Sequence, residues 1–196
     1  MVTTLLQRSS LSTAPNVDEL VTGEELKAMS DIGRAELVKG RIIPLMPTGH
    51  PHSYFEAMIA ALLFNFVRLK KIGRVLTGEV GIYTHRNPDT VRAADAAFIS
   101  NERFAQVRSH SYLDVCPELI VEVLSPDDSW SMVQEKLEEY FTVGAQVIWV
   151  LDPRLEQVHV YESLDNVTRL TKKDVLIGRD LLSGFTVPLN EIFTED

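Results

Sequence analysis

Two carboxylates stand where ordinary packing would not put them. In PELIVEVLS, residues 117–125, Ile120, Val121, Val123 and Leu124 read as a strand covered on both faces, yet Glu122 lies among them. Taking an ionised carboxylate out of water is costly unless a partner compensates. In VRAADAAFIS, residues 91–100, Asp95 occupies the middle of a second strand pattern, among alanines that leave room beside its side chain. Strand alternation puts Ala93, Asp95 and Ala97 on one face. Two such acids meeting at one end of a sheet repel, unless one is protonated or a cation sits between them. A hard divalent ion suits an all-oxygen site. Magnesium takes one or two carboxylates and keeps its other positions for water and phosphate. The opposing reading is structural: a strand acid pairs with a base or sits at an edge, and Arg92 and Arg41 are available.

The surrounding pattern predicts what positions these acids. Val21 to Met29, with Thr22 three before Glu25, reads as a short capped helix. ELVKGRIIPL, residues 36–45, reads as a hairpin around Lys39-Gly40. Ser53 and Glu56 form a capping-box pattern for a long helix whose stripe runs Phe55, Met58, Ile59, Leu62, Leu63, Phe66, Val67. Gly73, just beyond Lys70 and Lys71, suits its C-terminus. Strands follow over 74–84 and 91–99, then a polar loop over 101–116 with one helical turn, then the Glu122 strand. SPDDSW opens a second helix with the stripe Trp130, Val133, Leu137, Tyr140, Phe141. QVIWVLD and QVHVY form a strand pair across Pro153-Arg154, and short strands continue to PLNEIF. Trp130 and Trp149 read as core. Residues 1–20 read as a tail or arm, and 21–196 as one domain. The order predicts an α/β fold with a mixed central sheet flanked by helices, its last crossover parallel.

The totals restrict the function. The composition, 45% hydrophobic and 24% charged, is that of a soluble globular protein. No apolar run approaches the ~20 residues that span a bilayer, and the N-terminus lacks the order of a signal peptide. A cytoplasmic protein with no membrane partner is expected. The single cysteine, Cys116, excludes an internal disulfide framework and suits a reducing compartment. A net charge of −9 argues against non-specific coating of nucleic acid. It leaves room for a local basic groove, for which Arg68, Lys70, Lys71 and Arg74, or Arg86 and Arg92, are candidates.

The order of elements, with Asp in the second of these strands and Glu in the third, resembles the PD-(D/E)XK nucleases, the restriction-endonuclease-like superfamily. More closely it resembles the Uma-type "putative restriction endonuclease" family. The resemblance is carried by ELVKGRI (36–42), the segment around His52, VRAADAAFIS (91–100), PELIVEVLSPDD (117–128), EKLEEYFTVGAQVIWVLDP (135–153) and VLIGRDLLSGFTVPLNEIF (175–193). It implies a restriction-endonuclease-like mixed sheet with an added N-terminal hairpin and C-terminal strands. It also implies Asp95 and Glu122 as metal-binding carboxylates for Mg²⁺ or Mn²⁺, the Val123 backbone carbonyl as a further ligand, and Glu36 as an acid near the site. DNA is the implied substrate, and relatives suggest a homodimer.

One departure stands out. The superfamily pattern places a lysine two residues after the strand Glu, and this chain has Leu124. Lys136, four residues before Tyr140, borders the apolar stripe of the following helix and could lean inward with its stem buried. Relatives relocate the lysine in the same way. Gln134, on the stripe's other edge, is the polar alternative. His52, at the entrance of the long helix, Glu79, in TGEVGIY, and Tyr140 are accessory candidates. The implied activity is metal-dependent hydrolysis of DNA phosphodiester bonds. The alternative is a non-catalytic nucleic-acid-binding or assembly module that keeps the fold, favoured by Leu124 and by the net charge. A glycosidase using the same acids would need exposed aromatics, which the sequence does not offer.

Overall fold

The computed structural model describes residues 20–193, so the arm expected over 1–20 lies outside the described residues but for Leu20. Helix α1 (Gly23–Ala28) precedes the hairpin β1 (Ala35–Val38) and β2 (Arg41–Pro44). The long helix α2 (His50–Lys70) leads into β3 (Gly73–His85) and β4 (Thr90–Ser100). After the single turn α3 (Asn101–Phe104) come β5 (Leu119–Val123), α4 (Trp130–Thr142), β6 (Val147–Asp152), β7 (Gln157–Tyr161) and β8 (Val167–Thr171). The described chain closes with β9 (Val175–Ile177), β10 (Thr186–Pro188) and the turn α5 (Leu189–Ile192). The main sheet runs β2-β1-β4-β5-β6-β7-β8, with β3 also paired to β4, and β9 and β10 form a separate ladder. Among the described strands only β5 and β6, joined through α4, pair in parallel; the result is the expected mixed sheet. Among the described residues no helix is long and apolar enough to cross a membrane.

Helices on both faces explain why every residue of β5 is buried. Leu119, Val121 and Val123 share a core with Ile59 and Leu63 of α2, while Ile120 packs with Val133, Leu137 and Tyr140 of α4. Full burial of each such side chain is worth roughly 1.5–3 kcal/mol. The Thr22–Glu25 capping box forms as the sequence predicts. The Ser53–Glu56 box does not: α2 starts earlier, at His50 behind Gly49 with Pro51 in its first turn, so Ser53 is already inside the helix. At its other end the left-handed residue is Lys71, and Gly73 opens β3 instead of capping. Trp149 is buried core, but Trp130, in the first turn of α4, is 48% exposed. The short strands run to PLNEIF as expected, β10 ending at Pro188, and the turn α5 follows.

Strand β4 is the pivot. Strand β3 pairs along one of its edges. On the other edge β5 pairs only at Ala96 to Phe98, and β1 only at Val91. Residues 92–95 therefore face a gap where β1 and β5 part. Opposite this gap β3 carries a bulge: Thr77 pairs with Ala96 and Val80 with Ala94, so β3 takes three steps for two on β4. The bulge residues Gly78 (φ 81°) and Glu79 (φ 56°) are both left-handed, a conformation that glycine adopts freely and Glu79 does not. The sides of β4 exchange here. Arg92 meets acids of α4 and Ala94 packs in the α4 core, whereas Ala96 and Phe98 pack in the α2 core. The expectation that Ala93, Asp95 and Ala97 share a face fails, because it assumes an unbroken pleat.

Candidate active site

Side chains from five elements fill the gap. Ala93 has no strand partner there, so side chains take over its backbone groups. Its N–H donates to Glu36 Oε1 of β1 at 3.0 Å, and its carbonyl accepts from Lys136 Nζ of α4 at 3.1 Å. The same ammonium lies 3.0 Å from Glu36 Oε1 and 3.3 Å from Glu122 Oε2. Glu122 Oε1 accepts from the Tyr140 hydroxyl at 2.8 Å. Asp95 Oδ2 accepts from the Val123 N–H of β5 at 2.6 Å and lies 3.3 Å from His52 Nε2, in the first turn of α2. Asp95, Glu122, Val123, Lys136, His52 and Glu79 all line one cleft.

The charges alternate through the gap. Burial alone would raise the Glu36 carboxyl, but the Lys136 ammonium, the Ala93 N–H and the Arg92 guanidinium together hold it below its ordinary value. Burial likewise opposes the charge on Lys136, and Glu122, Glu36 and Asp95 overcome it, so its pKa is raised and it stays cationic. Burial pushes the Glu122 carboxyl up to about 7; Lys136 opposes this and the Asp95 charge adds to it. Tyr140 is raised well above its ordinary value by burial and then by Glu122, so it remains a neutral donor. His52 is raised, first by its hydrogen bond to Asp95, against burial. Burial raises Glu79, opposed by its ion pair with Arg34 at the cleft.

Several residues occupy places that the sequence did not indicate. Arg92, considered for a basic groove, is a buried structural cation. It lies 3.1 Å from Glu36 and makes bonds of 2.8 and 2.7 Å to Glu139. Gln134 is exposed and does not line the cleft. The cluster Arg68, Lys70, Lys71, Arg74 sits at the opposite end of α2 from His52, roughly 27 Å away by helical rise. Arg74 there stacks on Phe104, 3.7 Å from its ring centre. Glu56 does not cap α2 but turns to the β3 bulge, and its position four after His52 puts both on one helix face.

The donor set fits a divalent cation. Asp95 and Glu122 offer oxygens to one cleft, where burial first and the Asp95 charge second disfavour an ionised Glu122, a penalty that a cation would relieve. Among the described residues, the three His or acid side chains whose ligand atoms all lie within 4.8 Å of one another are His52, Glu56 and Asp95; Glu122 is outside that group.

Comparison with known proteins agrees with this architecture. The crystal structure of a "putative nuclease belonging to DUF820" from Anabaena variabilis superposes with a TM-score of 0.73 at 20% identity, over 88% of this chain and 97% of that one. No curated protein matches. The model of the Uma2 family, described as "Putative restriction endonuclease", matches residues 23–190. That span takes in both strand acids, the long helix and the lysine-bearing helix, and the chain belongs to the Uma2 family.

Proposed function

We propose that the chain is a metal-dependent endonuclease that hydrolyses DNA phosphodiester bonds, with Asp95, Glu122 and the Val123 carbonyl as ligands for Mg²⁺ or Mn²⁺. The observation that carries this reading is the ammonium of Lys136, 3.3 Å from Glu122 in the gap. Leu124, at the usual lysine position, packs against the α4 core instead. The bound ion would supply Lewis acidity and a bound water of lowered pKa. The chain's own residues do the rest. The Val123 N–H orients Asp95, and Tyr140 orients Glu122. Lys136 brings positive charge to the place where negative charge grows on the phosphate. Glu36, held by Arg92, keeps that ammonium from leaving the gap.

A second reading has an observation of its own. Lys136 lies between two carboxylates, as it would in a buried ion-pair network with a purely structural role. A binding or assembly module would need no more. The test is to load the protein with Mg²⁺ or Mn²⁺ and incubate it with plasmid, single-stranded DNA and RNA. Cleavage of DNA that is lost in Asp95→Asn and Glu122→Gln, with the fold intact, supports the nuclease. Metal-loaded wild type that cuts nothing supports the module. Equal cutting by wild type and both variants means that the residues are wrong or the preparation is contaminated.

A further inference from the structure

We propose that His52, Glu56 and Asp95 form a second divalent-cation position, beside the Asp95–Glu122 position, that takes Mn²⁺ or Zn²⁺ in preference to Mg²⁺. The proposal deepens the metal reading above, and its test requires no cleavage. Three features of the fold converge on it. His52 and Glu56 stand four positions apart on α2 and so lie on one face. The exchange of sides in β4 turns Asp95 toward that face. The ligand atoms of the three residues then lie within 4.8 Å of one another, with His52 Nε2 already 3.3 Å from Asp95 Oδ2.

Glu56 is oriented in advance. Its Oε1 accepts from the Thr77 hydroxyl at 2.7 Å and from the Gly78 N–H at 3.2 Å. Both donors belong to the β3 bulge, which gives this irregularity a use. His52 supplies the independent sign. It is 7% exposed, it lines the cleft, and its Nδ1 has no partner among the described residues. The Asp95 contact uses Nε2, so the buried Nδ1 remains available as a ligand atom.

The charge around the three residues favours a cation. Of the two basic side chains lining the cleft, Lys136 is engaged by Glu36 and Glu122, and Arg34 by Glu79. Neither makes an ion pair with Glu56 or Asp95, while Asp127 and Asp128 add negative charge to the same cleft. The choice of metal follows from the donors. One imidazole nitrogen with two carboxylates suits Mn²⁺ or Zn²⁺, whereas Mg²⁺ prefers oxygen ligands and retains its waters.

The decisive measurement is pulsed electron spin resonance on the full chain, stripped of metal and loaded with Mn²⁺. The Asp95–Glu122 position is all oxygen, so ¹⁴N coupling to Mn²⁺ reports an imidazole ligand. We expect that coupling in wild type and its loss in His52→Ala. We also expect two Mn²⁺ per chain, with Glu56→Gln weakening one of them tenfold or more and Glu122→Gln weakening the other. Excess Mg²⁺ should displace only the Glu122-dependent ion. Absence of nitrogen coupling in loaded wild type overturns the proposal without any variant having to fold. A single ion weakened equally by Glu56→Gln and Glu122→Gln overturns the separate position. Normal two-site binding in a protein that cuts nothing would sink the nuclease reading and leave this one standing.

Discussion

Strand β4 contains two neighbouring stretches, each built around a pair of alanines, with opposite surroundings. Over Ala96–Phe98 its free edge meets β5, and backbone pairs with backbone. Over Arg92–Asp95 the edge faces no strand, and charged side chains from β1 and α4 complete the backbone of Ala93. The difference teaches how a fold can hold charges in its interior. An interrupted ladder leaves strong donors and acceptors unpaired. Those groups then anchor carboxylates and ammoniums that apolar packing alone would expel. In the ladder, position is fixed by shape; in the gap, it is fixed by charge.

The largest expected effect breaks the gap at Glu36. Glu36→Leu removes the acceptor of the Ala93 N–H and leaves Arg92 and Lys136 short of a buried counter-charge. Loss of about 3–5 kcal/mol of stability should follow, read as a lowered urea midpoint with an unchanged slope. A loss under about 1 kcal/mol would show that the network holds nothing together.

The next test removes charge and keeps shape. Lys136→Met should fold and bind metal yet cleave at least tenfold more slowly, which corresponds to about 1.4 kcal/mol of transition-state stabilisation. Gln134→Ala, on the exposed side of α4, should cut like wild type. The reverse pattern would transfer the role to Gln134.

A third test uses pH. The Glu122 carboxyl is raised from 4.5 to about 7, so the folded state holds its proton more tightly than the unfolded chain does. In the absence of metal, this group's contribution to stability is fully present below about pH 4.5 and is lost as pH rises through about 7. Mg²⁺ affinity should move the other way, rising toward pH 7 and levelling above it. Calorimetric titrations from pH 5.5 to 8 on wild type and Glu122→Gln check both; an equally steep rise in the variant would assign the dependence to another group.

The smallest effect concerns the shape-fixed part of the molecule. Burial pushes the Cys116 thiol up to about 12, so a disulfide reagent at pH 8 should label it only after denaturation. Rapid labelling of the native protein would mean that this part of the core opens far more readily than its packing suggests.

Periodicity made the elements legible. The strands carrying Asp95 and Glu122 and the helix carrying Lys136 lie close to where the residue pattern puts them, because each has a long apolar repeat. Helical geometry puts Lys136 at the edge of the stripe on the Tyr140 side, but it puts Gln134 at the other edge, and the resemblance favours Lys136 between them. The β3 bulge was not legible. Gly78 and Glu79 carry no period, so neither the exchange of sides at Asp95 nor the turn of Glu56 toward β3 had a signal in the pattern. Arg92 was misjudged because its partners, Glu36 and Glu139, are distant in sequence. Trp130 was misjudged because a stripe does not show how far the core extends beneath a helix's first turn.

The contact between Glu36 and Lys136 spans 100 positions of chain, 136 minus 36. Closing a loop of that length costs about 4 kcal/mol of entropy beyond a constant, before any contact repays it. During synthesis, at roughly 5–20 residues per second, β1 leaves the ribosome several seconds ahead of the helix that completes it. Glu36 must spend that interval as an ordinary solvated acid. The cluster around Ala93 is therefore expected to form late, only after α4 has been made. Pulsed hydrogen exchange during refolding can time this step, because the Ala93 amide should become protected only when Glu36 is drawn in.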